Sequence, residues 1–219
     1  MLIIGDQITH LRVKLNNSDF ACSEKIINSF RLYLIELLKW NKKINLISKN
    51  DENQVVSRHF LESIAMLEVF PFPENCSVID VGSGAGFPGL PIKIIRPDLK
   101  MTLLDSKRYR ILFLREIVSI LKLSDINVVK ERAESICDKN EYNQKFDFVI
   151  ARAVTQLDKL YLWTYPFLKS GGSILTYKGG QIDKEIDGVR KLNVEVIRLS
   201  LNSSLVESGR NVSLIQIIK

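Results

Sequence analysis

The chain has 219 residues, of which 46% are hydrophobic and 26% are charged, and its formal net charge is +6 at pH 7. This hydrophobic fraction is enough to form the core of one compact domain and excludes a disordered chain. A run of ~18 uncharged apolar residues is missing, so we expect no membrane span. The modest positive charge favours polyanionic partners without identifying one.

The cysteines and the first residues bear on the cellular compartment. Cys22, Cys76 and Cys137 are odd in number and far apart. They fit buried thiols in a reducing cytosol better than a disulfide framework or a zinc site. The N-terminus lacks a basic segment followed by an apolar stretch, so it does not predict a secretory signal. We therefore expect a cytoplasmic protein without a bound metal.

The first part of the chain has helical patterns. Apolar residues at helical spacing predict one helix from Ser23 to Trp40 and another from about Glu52 to Val69. Pro71 and Pro73 then stop helical propagation and indicate a connector. We predict a helical N-terminal extension that ends at residue 75.

Residues 76–219 alternate between β-rich runs and helical segments. The predicted strands are Ser77–Val81, Met101–Asp105, Ile126–Val129, Phe146–Ile150, Ser173–Tyr177, Val194–Leu199 and Val212–Ile218. Helices are predicted between them from Lys107 to Leu123 and from about Leu157 to Leu168. This alternation predicts a mostly parallel α/β sheet with helices on both faces. The last two runs are too close for a helical crossover, so we expect an antiparallel hairpin at the sheet edge.

The most specific feature is the loop from Asp80 to Gly89, which reads D-V-G-S-G-A-G-F-P-G. Glycines at alternate positions after a strand let the main chain approach a ligand closely, because no Cβ intervenes. In an open α/β sheet, this loop lies at the carboxyl end of the first strand, where ligands bind. Asp105 ends the next strand and can accept hydrogen bonds from both hydroxyls of a ribose. Together these features indicate an adenosine-containing cofactor.

The glycine spacing leaves the cofactor class open. Gly84, Gly86 and Gly89 match the G-x-G-x-x-G dinucleotide fingerprint, which keeps an NAD-linked oxidoreductase as an alternative. Counted from the strand end, however, the register begins at Gly82, and prolines flank Gly89 where a pyrophosphate needs free N–H groups. This register favours S-adenosylmethionine, which has no phosphate. A structural glycine turn without a ligand is a further alternative.

Eight short segments in a fixed order then carry a family resemblance. They are Trp40–Leu46, Arg58–Ser63, Val78–Leu90, Leu104–Ser106, Arg132–Glu134, Ala151–Ala153, Lys178–Gly179 and Arg210–Asn211. In these segments the sequence resembles the bacterial small-subunit ribosomal RNA guanine-N7 methyltransferases, the RsmG or GidB family. The resemblance implies a class I (Rossmann-like) methyltransferase fold with S-adenosylmethionine as the methyl donor. It also implies one guanine of 16S rRNA as the substrate, in free RNA or in the small ribosomal subunit.

The resemblance and the glycine loop together imply seven cofactor contacts: Gly82, Gly84, Phe87, Asp105, Ala133, Glu134 and Arg152. In the family, the positions of Ala133 and Glu134 lie beside the adenine, that of Asp105 at the ribose and that of Arg152 in the cofactor pocket. The chain departs from the family pattern at Glu62, where Asp is usual, and at Tyr109, where Lys is common. It also ends without the basic tail that some members carry.

The residues also indicate which methylation chemistry to expect. Ala151–Val154, after the fourth strand, lacks the prolines and aromatic residue of enzymes that methylate exocyclic amines, and no cysteine is placed as a nucleophile for pyrimidine C5. Guanine N7 has a free lone pair and no proton to lose. We therefore expect no side chain to act as acid or base, and catalysis by positioning and electrostatics.

The contacts with RNA are less well defined by the sequence. We expect phosphate contacts from Arg58, Lys178 and Arg210, which lie beside a matched motif or at strand ends. The basic cluster Lys107–Arg110 opposes the dipole of the helix it begins, so it faces either RNA or solvent. A methyltransferase for small molecules, with the N-terminal helices as a lid, and a nucleotide-sensing module without catalysis are alternatives.

Overall fold

The computed structural model describes residues 2–137, 139–201, 203–207 and 212–219. Its strands are β1 (Ser77–Val81), β2 (Lys100–Asp105), β3 (Ile126–Lys130), β4 (Phe146–Arg152), β5 (Leu168–Gly179), β6 (Glu195–Ser200) and β7 (Val212–Ile218). Within the described ranges they form one seven-stranded sheet in the order β3-β2-β1-β4-β5-β7-β6. Strands β1 to β5 are parallel to one another, and β7 is antiparallel to both β5 and β6. The predicted sheet and its edge hairpin are confirmed.

Helices connect and cover the strands. They are α1 (Leu2–Asn16), α2 (Glu24–Asn41), α3 (Glu62–Val69), α4 (Gly89–Ile95), α5 (Arg108–Ile120), α6 (Ala133–Ile136), α7 (Leu157–Thr164) and α8 (Asp183–Arg190). The hydroxyl of Ser23 caps α2 by accepting a hydrogen bond from the backbone N–H of Ile26. No helix of the described residues is long and apolar enough to cross a membrane.

The segment before α3 differs from the prediction. A single α-helix over residues 52–69 is wrong in its first half, where a 3₁₀ helix (Lys49–Gln54) and a π-helical turn (Val56–Leu61) precede α3. Phe60 and Leu61 are both fully buried. A wider turn can point consecutive apolar side chains into the core, so the apolar spacing alone did not distinguish it from an α-helix.

The sheet separates two apolar cores. Alternate residues of a strand face opposite sides, so Val78 packs into one core and Ile79 into the other. The first core contains Phe30 and Leu34 of α2 together with strand residues, while α7 and α8 contribute to the second. The N-terminal helices therefore share one core with the sheet, and a domain boundary after residue 75 stays a prediction.

One buried side chain ties α2 to the glycine loop. Tyr33 is fully buried, and its hydroxyl donates a hydrogen bond to the Ala85 carbonyl at 2.5 Å. Its ring stacks on Phe60 and Phe87, with centroid distances of 4.9 and 5.7 Å. Burial raises the pKa of the Tyr33 hydroxyl well above its usual value, so the group stays a donor. The N-terminal helices thereby fix the position of the loop after β1.

Replacing Tyr33 with Phe tests this contact. The variant leaves the buried Ala85 carbonyl without its donor, and we expect the free energy of unfolding to fall by about 1–3 kcal/mol. Urea denaturation measures the change. Tyr109→Phe is the matched control, because Tyr109 is 60% exposed and its hydroxyl should matter little. Equal stability of Tyr33→Phe and the wild type would contradict the assignment.

Candidate active site

The glycine loop lies against the carboxyl end of β2. The backbone N–H of Gly82 donates a hydrogen bond to the Leu104 carbonyl at 2.8 Å. Gly82 and Gly84 have φ values of 71° and 58°, in the left-handed region that favours glycine. A Cβ on Gly82 would lie 2.7 Å from a methyl carbon of Val154. The loop therefore depends on residues without side chains at the points of closest approach.

Asp105 joins the loop to the end of β2. One carboxylate oxygen accepts hydrogen bonds from the Gly84 N–H at 3.0 Å and from the Arg110 guanidinium at 3.2 Å. The other oxygen accepts from the Lys107 N–H at 2.8 Å. The residue is only 4% exposed, so these bonds hold its carboxylate in one orientation. The glycine loop and the acid consequently form one rigid unit.

A cavity of about 210 Å³, here called the β2 crevice, lies over this unit. Four of the predicted cofactor residues line it: Gly82, Asp105, Ala133 and Glu134. Trp163 of α7 also lines it, and the sequence patterns did not predict this residue. Trp163 lies outside the buried stripe of α7 and follows the exposed Leu162. A large aromatic residue at such a position is the signal that could have indicated a ligand contact. The crevice thus brings together most, but not all, of the predicted contacts.

A second and larger cavity, of about 600 Å³, lies over the ends of β4 and β5 and is called the β4 pocket. Its lining residues are Asp51, Arg58, His59, Glu62, Arg152, Ala153, Tyr177, Lys178, Gly179 and Val212. Ala153 lines both cavities and directly follows the end of β4, with a φ of 56°. The two cavities therefore meet at this residue.

Arg152 is held by several groups in the β4 pocket. Its guanidinium donates to the Arg58 carbonyl at 3.1 Å and contacts the Glu62 carboxylate at 3.4 Å. It also lies 5.5 Å from the centroid of the Phe87 ring. Arg152 lines this pocket instead of the β2 crevice, and Phe87 lies in the adjoining aromatic cluster. Cofactor contacts at these two residues stay predictions.

His59 connects Arg152 to an acid from the N-terminal segment. Its Nδ1 is hydrogen-bonded to the Arg152 guanidinium, which has only donors, so Nδ1 accepts and we assign the ring proton to Nε2. Nε2 lies 3.6 Å from Oδ2 of Asp51. The imidazole stacks on Phe87 with ring centroids 4.8 Å apart and nearly parallel planes. This chain of contacts orients Arg152 through the histidine.

An acid in β1, Asp80, is buried against the start of α4. Asp80 accepts a hydrogen bond from the Gly89 N–H at 3.0 Å, and burial raises its pKa to about 7. The next N–H, of Leu90, donates to the Gly86 carbonyl, and Pro91 has none. The first N–H groups of α4 are therefore used within the protein. This arrangement is unfavourable for a pyrophosphate and counts against the NAD-linked alternative.

The predicted phosphate contacts have different surroundings. Arg58 lines the β4 pocket and donates to the Asp51 carboxylate at 2.7 Å. The Lys178 ammonium donates to the Thr155 carbonyl at 2.6 Å and to the Glu185 carboxylate at 2.8 Å, and its side chain is 14% exposed. A phosphate at Lys178 would have to replace these partners. Arg210 lies outside the described residues, and all three assignments stay predictions.

The relation to known proteins agrees with this geometry. The chain matches the family model of the rRNA small subunit methyltransferase G, GidB, over residues 26–211. The chain belongs to this family. Ribosomal RNA small subunit methyltransferase G of Clostridium botulinum is 38% identical over 187 residues, which cover 85% of this chain and 78% of the relative. The enzyme of Desulforamulus reducens is 34% identical over 222 residues, covering 99% of this chain and 92% of the relative.

Solved structures confirm the fold of this GidB protein. A SAM-dependent methyltransferase from Aquifex aeolicus aligns with a TM-score of 0.57 at 18% identity, covering 78% of this chain and 95% of its own. A predicted O-methyltransferase from Agrobacterium tumefaciens aligns with a TM-score of 0.57 at 16% identity, covering 74% and 80%. The predicted family and the class I methyltransferase fold are both confirmed. Among the described residues, no group of three His, Cys, Asp or Glu side chains is arranged to hold a metal ion.

Replacing Asp80 with Asn tests the buried carboxyl. Because burial raises the folded-state pKa to about 7 from 3.8, the folded state binds this proton more tightly than the unfolded state. The resulting stability is present below the unfolded pKa and is lost as the pH rises through the folded pKa. Asn has no carboxyl group to ionise, so the variant does not lose stability in this way. The melting temperature of the variant minus that of the wild type should therefore increase from about pH 4 to pH 7.

Asp98→Asn is the control for this experiment. Hydrogen bonds from Arg96 lower the pKa of Asp98 to about 2, so its contribution is lost only at lower pH. The difference between this variant and the wild type should stay constant over the same range. If the melting temperatures of Asp80→Asn and the wild type changed in parallel with pH over this range, the pKa of Asp80 would not be raised.

Proposed function

We propose that this chain methylates N7 of a guanine in 16S rRNA, with the donor adenosine in the β2 crevice and the guanine in the β4 pocket. Membership of the GidB family makes the chain a methyltransferase for small-subunit ribosomal RNA that uses S-adenosylmethionine. One observation carries the assignment of the two cavities: they meet at Ala153. A donor held in one cavity can therefore face an acceptor held in the other.

The β2 crevice suits a nucleoside that has no phosphate. Asp105 presents a fixed carboxylate to it, which matches the two hydroxyls of a ribose. Gly82 lets the main chain approach the ligand, and Ala133 and Trp163 supply apolar surface for an adenine. When bound, S-adenosylmethionine supplies an electrophilic methyl group on a sulfonium. The carboxylates of Asp105 and Glu134 favour such a cation electrostatically.

The β4 pocket has the size and the polar groups to receive a purine. Its volume of about 600 Å³ lies within the usual range for small-ligand sites. Asp51 and Glu62 bring carboxylates that match the N1–H and amino donors of guanine, while Arg58 and Arg152 bring donors that match its O6. His59 adds an aromatic ring to the wall, against which a base can stack. Adenine lacks this combination of donors and acceptor.

Reaction at N7 requires only correct placement of the base. N7 carries a lone pair and loses no proton, so a general base has no task. The contacts among Asp51, His59 and Arg152 therefore position the base and adjust the local charge. N7 lies on the major-groove edge, which is inaccessible in A-form RNA, so the target guanine must be unpaired or turned out of its helix.

Chemical mapping of the methylated RNA tests the proposal. The protein is incubated with labelled S-adenosylmethionine and 16S rRNA, free or in small subunits, from cells that lack it. N7-methylguanine becomes a site of chain cleavage after borohydride reduction and aniline treatment. We expect cleavage at one guanine that depends on the protein and the donor. Label on an exocyclic amine or on a pyrimidine, or no transfer to RNA in either form, would refute the proposal.

The variant Asp105→Asn tests the β2 crevice separately. Loss of the charge weakens the bonds to Arg110 and to the ribose, so we expect S-adenosylhomocysteine to bind about 10-fold more weakly or worse. Calorimetry measures this affinity. Asp98→Asn removes an acid at the opposite end of β2 and should bind like the wild type. Equal affinities of both variants would exclude Asp105 as the ribose contact.

A further inference from the structure

A groove between α2 and α5 lies apart from both cavities of the active site. It has a volume of about 240 Å³. Its walls are Lys39, Trp40, Lys43 and Ile44 from the end of α2 and the next turn, and Tyr109 and Leu112 from α5. The function proposed above assigns no role to this α2–α5 groove.

The groove presents aromatic and apolar surface to solvent. Tyr109 is 60% exposed and Leu112 is 41% exposed. Trp40 is fixed in the wall by an edge-to-face contact with Phe113, with ring centroids 5.8 Å apart. A fixed tryptophan beside an exposed tyrosine is a surface on which unpaired bases can stack.

The rim of the groove is strongly basic. Residues 39–44 and 106–112 contain six Lys or Arg and no Asp or Glu. Lys39 and Arg110 have carboxylate partners, in Glu36 and Asp105. The other four are exposed, and none of them forms an ion pair with a described residue: Lys42, Lys43, Lys107 and Arg108. This charge complements a phosphate backbone.

The cations at the start of α5 are not explained by helix stability. The first turn of α5 contains no acid, and Lys107 and Arg108 lie at its N-terminus, where positive charge opposes the helix dipole. Lys42 and Lys43 follow the C-terminus of α2, where the dipole favours them, so they are less informative. The positive charge at the start of α5 is therefore the stronger indication of an anionic ligand.

The first turn of α5 lies between the groove and the active site. Arg110 lines the β2 crevice, while its neighbour Tyr109 lines the groove. We propose that the α2–α5 groove binds an unpaired segment of the substrate RNA, with a base stacked on Tyr109 and phosphates at Lys43 and Arg108. This inference rests on the proposed function, because it names a second contact with the same substrate.

Binding of unmethylated 16S rRNA to the full chain, measured without a methyl donor, tests the groove. We expect Tyr109→Ala to bind at least about 5-fold more weakly, since stacking on an aromatic ring is lost. Tyr109→Phe keeps the ring and should bind like the wild type. The double variant Lys43→Gln/Arg108→Gln removes both proposed phosphate contacts and should lower the slope of log affinity against log salt by about 1.4, which corresponds to two phosphates of a single strand.

Two further measurements distinguish a lost RNA contact from damage to the fold or to the cofactor site. The affinity of Tyr109→Ala for S-adenosylhomocysteine and its melting temperature should equal those of the wild type, because Tyr109 lies outside both cavities. Wild-type RNA affinity and salt slope in the variants would overturn the inference. So would variants that bind RNA normally but lose self-association in sedimentation, because a second copy of the chain would then fill the groove. If the wild type methylates RNA and the groove variants bind it unchanged, only this inference fails.

Discussion

The carboxylate of Asp105 is the constraint on which the candidate active site depends. It joins the glycine loop after β1 to the start of α5 through hydrogen bonds with Gly84, Lys107 and Arg110. Because the residue is buried, these bonds fix the shape of the β2 crevice before a ligand arrives. The same bonds also set where α5 begins, so they place the basic residues that follow on the outer surface.

The second organising feature is the junction of the two cavities at Ala153. One cavity is built by the sheet and its loops, whereas the other also needs the N-terminal helical segment, which contributes Asp51, His59 and Glu62. Tyr33 holds this segment against the glycine loop. The N-terminal helices therefore do more than cover one face of the sheet, since they supply part of the wall where the base is proposed to bind.

Local patterns predicted much of the fold and four of the residues that line the β2 crevice. β1 and β2 are predictable because each is a short β-rich run that ends in a glycine or an acid. The residues directly beside such a run indicate where the strand ends. The π-helical turn before α3 was missed, because the apolar spacing there is also compatible with an α-helix. Asp51 was missed for another reason: it meets Arg58 and His59 through the 3₁₀ helix and π-turn, so no residue pattern around it indicates a pocket. Glu185 likewise reaches Lys178 from α8, which was not predicted.

The methyl donor and the base are proposed to meet where the two cavities join, and a crystal structure with bound S-adenosylhomocysteine tests this most directly. We predict that the ribose hydroxyls bind Asp105 and that the sulfur lies beside Ala153, open to the β4 pocket. If the adenosine of S-adenosylhomocysteine instead lay in the β4 pocket, or if its sulfur atom pointed away from Ala153, this placement of donor and base would be contradicted.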